Sequence, residues 1–337
     1  GGGGRLKADG KLLAGNGGKA TLEGNTVQLD GEVRGYALGK GGAYTLKTDR
    51  IKIGGTADPD ALNLAPAFFE QGGFADFNLT GARGIDIADG TTLRPTVISL
   101  ELLVDAGLRP TGSSIAEFSS QARRDDRVRQ AANVSFTANS PSDPEQGKIR
   151  LGEQARILAD DKAKISFSAK NRIDLLGEVK TAGGSVAASV SRNDNDPFDP
   201  ASAVWLGSQS VVDVSGAART YTDNRGLTKG EVLGGGSVAL NAQGGYVVSE
   251  AGSRINVAGA TPVRLDVRNE SGDLGRNVGS DAGVLTIATS EGALLDGTIQ
   301  AHAGSAQNRG GAFDFRLDDG RNRAAINAPT NERVLNL

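Results

Sequence analysis

Cysteine and methionine are both absent from the 337 residues, aromatic residues make up only 4%, and there is one histidine. Each shortage excludes something. Without cysteine there are no disulfides, no thiolate zinc sites and no cysteine nucleophile. A cysteine-free chain suits an exported bacterial protein that crosses a membrane unfolded, where an early disulfide would block passage; cytosolic proteins share the trait. Without methionine, Gly1 is not a start residue, so the chain reads as a processed product or an excerpt, and a missing leader says nothing about location. No run of about 18 apolar residues is present, so no membrane span is expected. The net charge of −3 supplies no electrostatic drive towards nucleic acid or an anionic membrane.

Glycine is abundant, at 49 residues, but it has no period of three, which rules out collagen. Val, Ile and Leu recur in ordered pairs, which argues against disorder. The stretch "GKIRLGEQARILADDKAKISFSAKNRIDLLGEVK" at 147–180 carries Ile149, Ile157, Ile165 and Ile173 eight residues apart. Leu151, Phe167 and Leu175 follow three of them by two residues, the strand period that puts both side chains on one face. Such short strands at such tight spacing predict an all-β right-handed parallel β-helix, a solenoid with about 20 to 27 residues per circuit and loop or short-helix insertions. An antiparallel sandwich is the alternative, but two-residue Asn-Gly or Asp-Gly hairpin turns between long alternating strands are lacking.

The same unit recurs with Leu22, Val27, Leu29 and Val33, with Leu46, Ile51 and Ile53, and with Phe77, Leu79, Ile85, Ile87 and Leu93. It returns in "AVWLGSQSVVDVSGA", "GGGSVALNAQGGYVVSEAGSRINVAGA", "AGVLTIATSEGALLDGTIQA" and "GGAFDFRL". Rungs are therefore expected over 1–93, with an insertion at 56–71, and over 147–337, with polar loops near 191–202 and 218–230. Residues 94–146 form an insertion or irregular segment, with a helix or loop at "SSIAEFSSQARRDDRVRQ". Roughly 12 circuits at about 4.8 Å each predict a rod on the order of 60 Å long, with no recognisable cap at either end.

Residues 234–260, with "AVWLGSQSVVDVSGAA", "KGEVLGGGSVALNA" and "QAANVSFTAN", resemble the large exoproteins of the filamentous haemagglutinin family. These are the secreted partners of bacterial two-partner secretion systems. The resemblance is specific over about 130–260 and looser elsewhere. It implies a β-helix exported through an outer-membrane pore transporter and displayed outside the cell as an adhesin or biofilm scaffold. The family's amino-terminal secretion domain is not identifiable here, so transporter recognition is not assigned to this segment.

Candidate chemistry is sparse. His302 has neither a partner nucleophile nor further imidazoles, and reads as a solvent-facing residue. In "RNDNDPFDP", Asp194, Asp196 and Asp199 offer oxygens that calcium would suit. The stretch lacks the EF-hand glycine and glutamate, so a polar turn is favoured and no cofactor is expected. Asp160, Asp161, Asp318 and Asp319 are the carboxylates a polysaccharide-active β-helix would use. Adjacent carboxylates on a strand face opposite ways, and pairs in turns are ordinarily solvated. "GKGG" lacks the spacing of a phosphate loop. Arg123, Arg124, Arg127 and Arg129 offer a basic patch for acidic glycans, set against a solvated loop paired with Asp125 and Asp126. Among aromatic anchors, Trp205 is expected in the core, whereas Phe68, Phe69 and Phe198 lie in insertions and are expected at the surface.

The expectation is a non-enzymatic segment of a secreted filamentous adhesin, contacting host-surface or matrix glycans and proteins, with side-by-side filament association as a further contact. A β-helical polysaccharide-active enzyme and a passive stalk carrying a distal toxin are the alternatives.

Overall fold

The computed structural model describes residues 4–6, 12–29, 31–110, 112–140, 143, 145–192, 196, 198–269, 272–318 and 334–336. The fold is all-β. Helix is confined to the short turns Pro66–Glu70, Ala106–Leu108 and Ile115–Phe118, and the two large sheets are parallel throughout.

From Asn133 the chain lays down three strands per circuit in a constant order. Asn133–Ala138, Lys148–Leu151 and Arg156–Leu158 make one circuit, and Lys164–Ala169, Arg172–Leu175 and Glu178–Lys180 the next. Ser185–Ser191, Ala203–Leu206 and Val211–Asp213 follow, then Ser237–Gln243, Tyr246–Ser249 and Arg254–Asn256, then Val284–Thr289, Gly292–Leu295 and Thr298–Gln300. Each strand pairs with its counterparts in the circuits before and after, which generates three series. The third series is a sheet of its own, whereas the first and second join through the long strands Gly42–Ile53 and Phe74–Ile87, which span both. Side-chain alternation in Gly42–Ile53 changes phase at Asp49–Arg50, where its pairing with Phe74–Ile87 is irregular. Phe74–Ile87 carries one extra residue there, between Gly81 and Gly84, a bulge that bends the pair from one series into the next.

Registered pairing turns the two-residue alternation into continuous inward columns. One runs Leu22, Leu46, Leu79, Phe136, Phe167, Ala188, Leu240, Ile287, Phe315. Another runs Leu93, Ile157, Val179, Val212, Ile255, Ile299 through the third series. The eight-residue isoleucine spacing is one step from series to series. Ile149, Ile157 and Ile165 occupy the second, third and first, and Ile173 pairs with Ile149 one circuit on. Small aliphatic residues fill this interior, with Phe136 and Phe167 stacked at 5.4 Å between ring centres.

At the corner from third to first series, glycines permit close backbone approach. A Cβ on Gly236 would lie 1.9 Å from the Gly184 carbonyl oxygen, and one on Gly283 would lie 1.8 Å from that of Gly236. From Gly184 on, this position holds glycine in successive circuits, where the earlier ones carry Ala132 and Ala163.

Several expectations are corrected. The first series holds nine strands among the described residues, so the ladder is about 38 Å long rather than 60 Å. Strand Asn133–Ala138 belongs to the ladder, so the long break ends before it. The segment 218–230 is an antiparallel hairpin rather than a loop, Ala218–Thr222 pairing with Thr228–Val232. A second hairpin, Val263–Asn269 with Gly272–Val278, interrupts the expected run of rungs. At the early end of the ladder, the second and third series are covered. Leu62–Leu64 pairs with Ile51–Ile53, and the turn Pro66–Glu70 packs against Thr92–Leu93. At the late end, Phe313, Leu317 and Ile299 continue inward columns yet are 47%, 37% and 39% exposed.

Candidate functional site

Among the described residues, three insertions carry sheets of their own, and all three leave the ladder at the corner from third to first series. Ser99–Leu102 with Ser119–Ala122 lies between the third-series strand Thr92–Leu93 and the first-series strand Asn133–Ala138. The hairpin 218–232 lies between Val211–Asp213 and Ser237–Gln243, and the hairpin 263–278 between Arg254–Asn256 and Val284–Thr289. The result is a crest of polar hairpins along one edge.

Ion pairs bind this crest to itself and to the ladder. Arg129 donates to Asp160 through two nitrogens, at 2.8 and 2.6 Å, and both side chains are largely buried. Arg219 makes the same forked contact with Asp161, at 2.5 and 2.6 Å. These hydrogen bonds hold both guanidinium groups above their ordinary pKa. Lys162 reaches Glu231 at 3.1 Å. Arg127 lies 4.8 Å from the ring centre of Tyr221, linking the first insertion to the second. Asp266 of the third hairpin accepts from the Thr228 backbone N–H at 2.7 Å, and its carbonyl accepts from Lys229 Nζ.

The arginine run predicted from sequence is largely neutralised. Arg124 pairs with Glu101, Arg127 with Asp125 and Arg129 with Asp160, while Arg123 is exposed. Hydrogen bonds from the Arg127 side chain, then its backbone, hold the Asp125 carboxyl well below its usual range. What the crest exposes is apolar as well as charged: Leu103, Val104 and Leu108 of the first insertion, and Val128 beyond it, stand clear of the ladder.

The other predicted residues lie elsewhere. Phe69 is fully buried, which corrects its expected place at the surface, and Phe68 packs partly buried against the same interior. Pro66 opens a five-residue 3-10 turn there, in which consecutive side chains diverge by about 120°. Phe69 enters the interior against Phe77, and Phe68 closes over Tyr44. Phe198, half-buried, and Asp199 sit in the 191–202 loop at a different corner, between first and second series. Asp196 pairs with Lys170 at 2.6 Å and Asp199 with Arg192 at 3.3 Å, while Asp194 lies outside the described residues. Among the described residues, no three His, Asp or Glu side chains gather in metal-binding geometry. Of the carboxylates considered for catalysis, Asp160 and Asp161 are the arginine partners above, and Asp319 lies outside the described residues. His302 is exposed.

Trp205 faces outward, contrary to expectation, because Val204 and Leu206 take the inward positions of its strand. Arg172 lies over its ring at 4.8 Å, and its indole N–H donates to Glu250 at 3.1 Å. The two later hairpins had a readable signal that the eight-residue repeat masked. "RTYTDNRGLTKGEV" and "VRLDVRNESGDLGRNV" both place strand-like runs around Asn- and Gly-containing turns. No helix among the described residues is long and apolar enough to cross a membrane. No protein-family model, curated protein or solved structure matches the chain.

Proposed function

We propose that the chain is a right-handed parallel β-helix serving as a segment of a secreted, cell-surface filamentous adhesin or biofilm-matrix protein, without catalysis of its own. One observation chiefly supports this reading. Every insertion with its own sheet leaves at one corner, while the inward columns run on beneath. A ladder of this kind gains length by nearest-neighbour stacking, about 4.8 Å per circuit, and its insertions are free to carry contacts. The crest, with its exposed Leu103, Val104, Leu108 and Arg123, is the surface assigned to matrix or host-surface glycans and proteins.

The export route rests on the resemblance to filamentous haemagglutinin exoproteins, which brings an outer-membrane pore transporter as partner. A cysteine-free chain passes such a pore extended and closes its circuits outside.

The test displays the full chain on cells that do not otherwise attach. Hairpins 99–122, 218–232 and 263–278 are replaced by short Gly-Ser turns, singly and together. Attachment to matrix-coated surfaces is expected to fall to background when the crest is removed, with the β-sheet circular dichroism unchanged. Unchanged attachment would instead favour a passive stalk.

A further inference from the structure

An open pocket of about 330 Å³ lies at the early end of the ladder, between Leu29, Gly31 and Val33, the 63–72 segment and the first inward side chains. Its walls are Leu29, Val33 and Leu64 together with the rings of Tyr44, Phe68, Phe74 and Phe77. The rings support one another edge to face, Tyr44 lying 5.2 Å from Phe68 and 5.0 Å from Phe74. Among the described residues no lysine or arginine lines the pocket, and the exposed Glu32, Asn63 and Gln71 stand at its rim.

Tyr44 is the exception in this apolar wall. The residue is only 2% exposed, yet its hydroxyl oxygen is not sealed off and has no hydrogen-bond partner among the described residues. A hydroxyl left reachable and without a protein partner is available to donate to an acceptor that a ligand brings. An aromatic-walled pocket of a few hundred Å³ with a few polar groups to fix orientation is the composition of a small-molecule site.

We infer that this pocket is a binding site for a small neutral ring compound bearing a hydrogen-bond acceptor, which the Tyr44 hydroxyl engages. The rings supply faces for an aromatic or alicyclic body. Among the described residues no lysine or arginine lines the pocket, and the rim carboxylate of Glu32 is paired with Arg34 at 2.7 Å, so the pocket offers an anionic ligand no cationic partner of its own.

The probe is prodan, a neutral naphthyl ketone whose emission shifts to the blue in apolar surroundings. Titrated into the full chain, it should bind saturably at one site with blue-shifted emission. Tyr44→Phe keeps the ring and removes the donor, and should weaken binding by about fivefold. Leu29→Trp fills the pocket from one wall and should abolish binding, as should Ala67→Leu from the opposite wall if the first variant misfolds. Circular dichroism verifies the fold of each. The inference is overturned if the wild-type chain shows no saturable site. It is equally overturned if both filling variants bind like wild type, which would place the probe elsewhere, such as at the exposed Phe313–Leu317 end. Equal affinity of Tyr44→Phe and wild type overturns the assigned ligand class.

Discussion

Replacing Phe167 by alanine tests whether the inward columns hold the ladder together. Phe167 is 1% exposed, is stacked on Phe136 of the preceding circuit, and meets Ala188 in the next. Truncating a buried phenylalanine costs about 3–5 kcal/mol, more where the neighbours cannot close the void. Ala188 has no side chain to spare, and Phe136 is held by its own strand, so about 4 kcal/mol is expected. That is close to a thousandfold in a local opening constant. The assay is native-state hydrogen exchange, because a stacked ladder need not unfold in one step. Amides of 134–138, 165–169 and 186–190 should lose about a thousandfold of protection. Those of 285–289, three circuits on, should change by no more than a few-fold, since stacking energy passes only between neighbours. Ser166→Ala, on the outward face of the same strand, should stay within about 0.5 kcal/mol. A Phe167→Ala effect no larger than that of Ser166→Ala would refute the packed interior, and uniform loss of protection along the chain would refute nearest-neighbour stacking.

Other perturbations address the corners and the crest. Gly236→Ala forces a Cβ onto the Gly184 carbonyl and should destabilise by about 2–3 kcal/mol, seen as a lower melting temperature. Arg129→Ala strands the largely buried Asp160 and should cost about 3 kcal/mol, partly recovered in Arg129→Ala/Asp160→Asn; Arg127→Ala, at the surface, should leave the melting temperature unchanged. Asp281 and Asp223 have carboxyl pKa values held below the ordinary range, chiefly by the backbone N–H groups of Arg309 and Leu227. Because the folded-state values are the lower ones, their contribution is complete above about pH 4 and is lost as pH falls further. Melting temperature against pH should be flat from neutrality down to that point and then decline, with Asp281→Asn reducing the decline.

The strand signal was legible wherever side chains alternate and glycines break the run. In 147–180 the isoleucine spacing revealed both the circuit length and the inward positions, because a strand's two-residue period is a local property of the chain. Trp205 was misplaced because Ala203-Val204-Trp205-Leu206 is apolar throughout and shows no alternation to read. Phe68 and Phe69 were misplaced because a five-residue turn has no period, and only its packing against Thr92–Leu93 shows that it closes the interior. The pairing of Arg129 with Asp160 and of Arg219 with Asp161 spans 31 and 58 residues, and no local pattern encodes contacts at that distance.

By itself, then, the sequence determined an all-β chain of short strands with a small aliphatic interior, because alternation and glycine placement act over a few residues. Tertiary structure alone decided which strands stack, that three hairpins share one corner, and that four aromatic rings line an open pocket where the Tyr44 hydroxyl has no partner among the described residues. Those features depend on parallel register between strands one circuit apart. That register is settled by inter-strand hydrogen bonds and side-chain packing between residues distant in the chain.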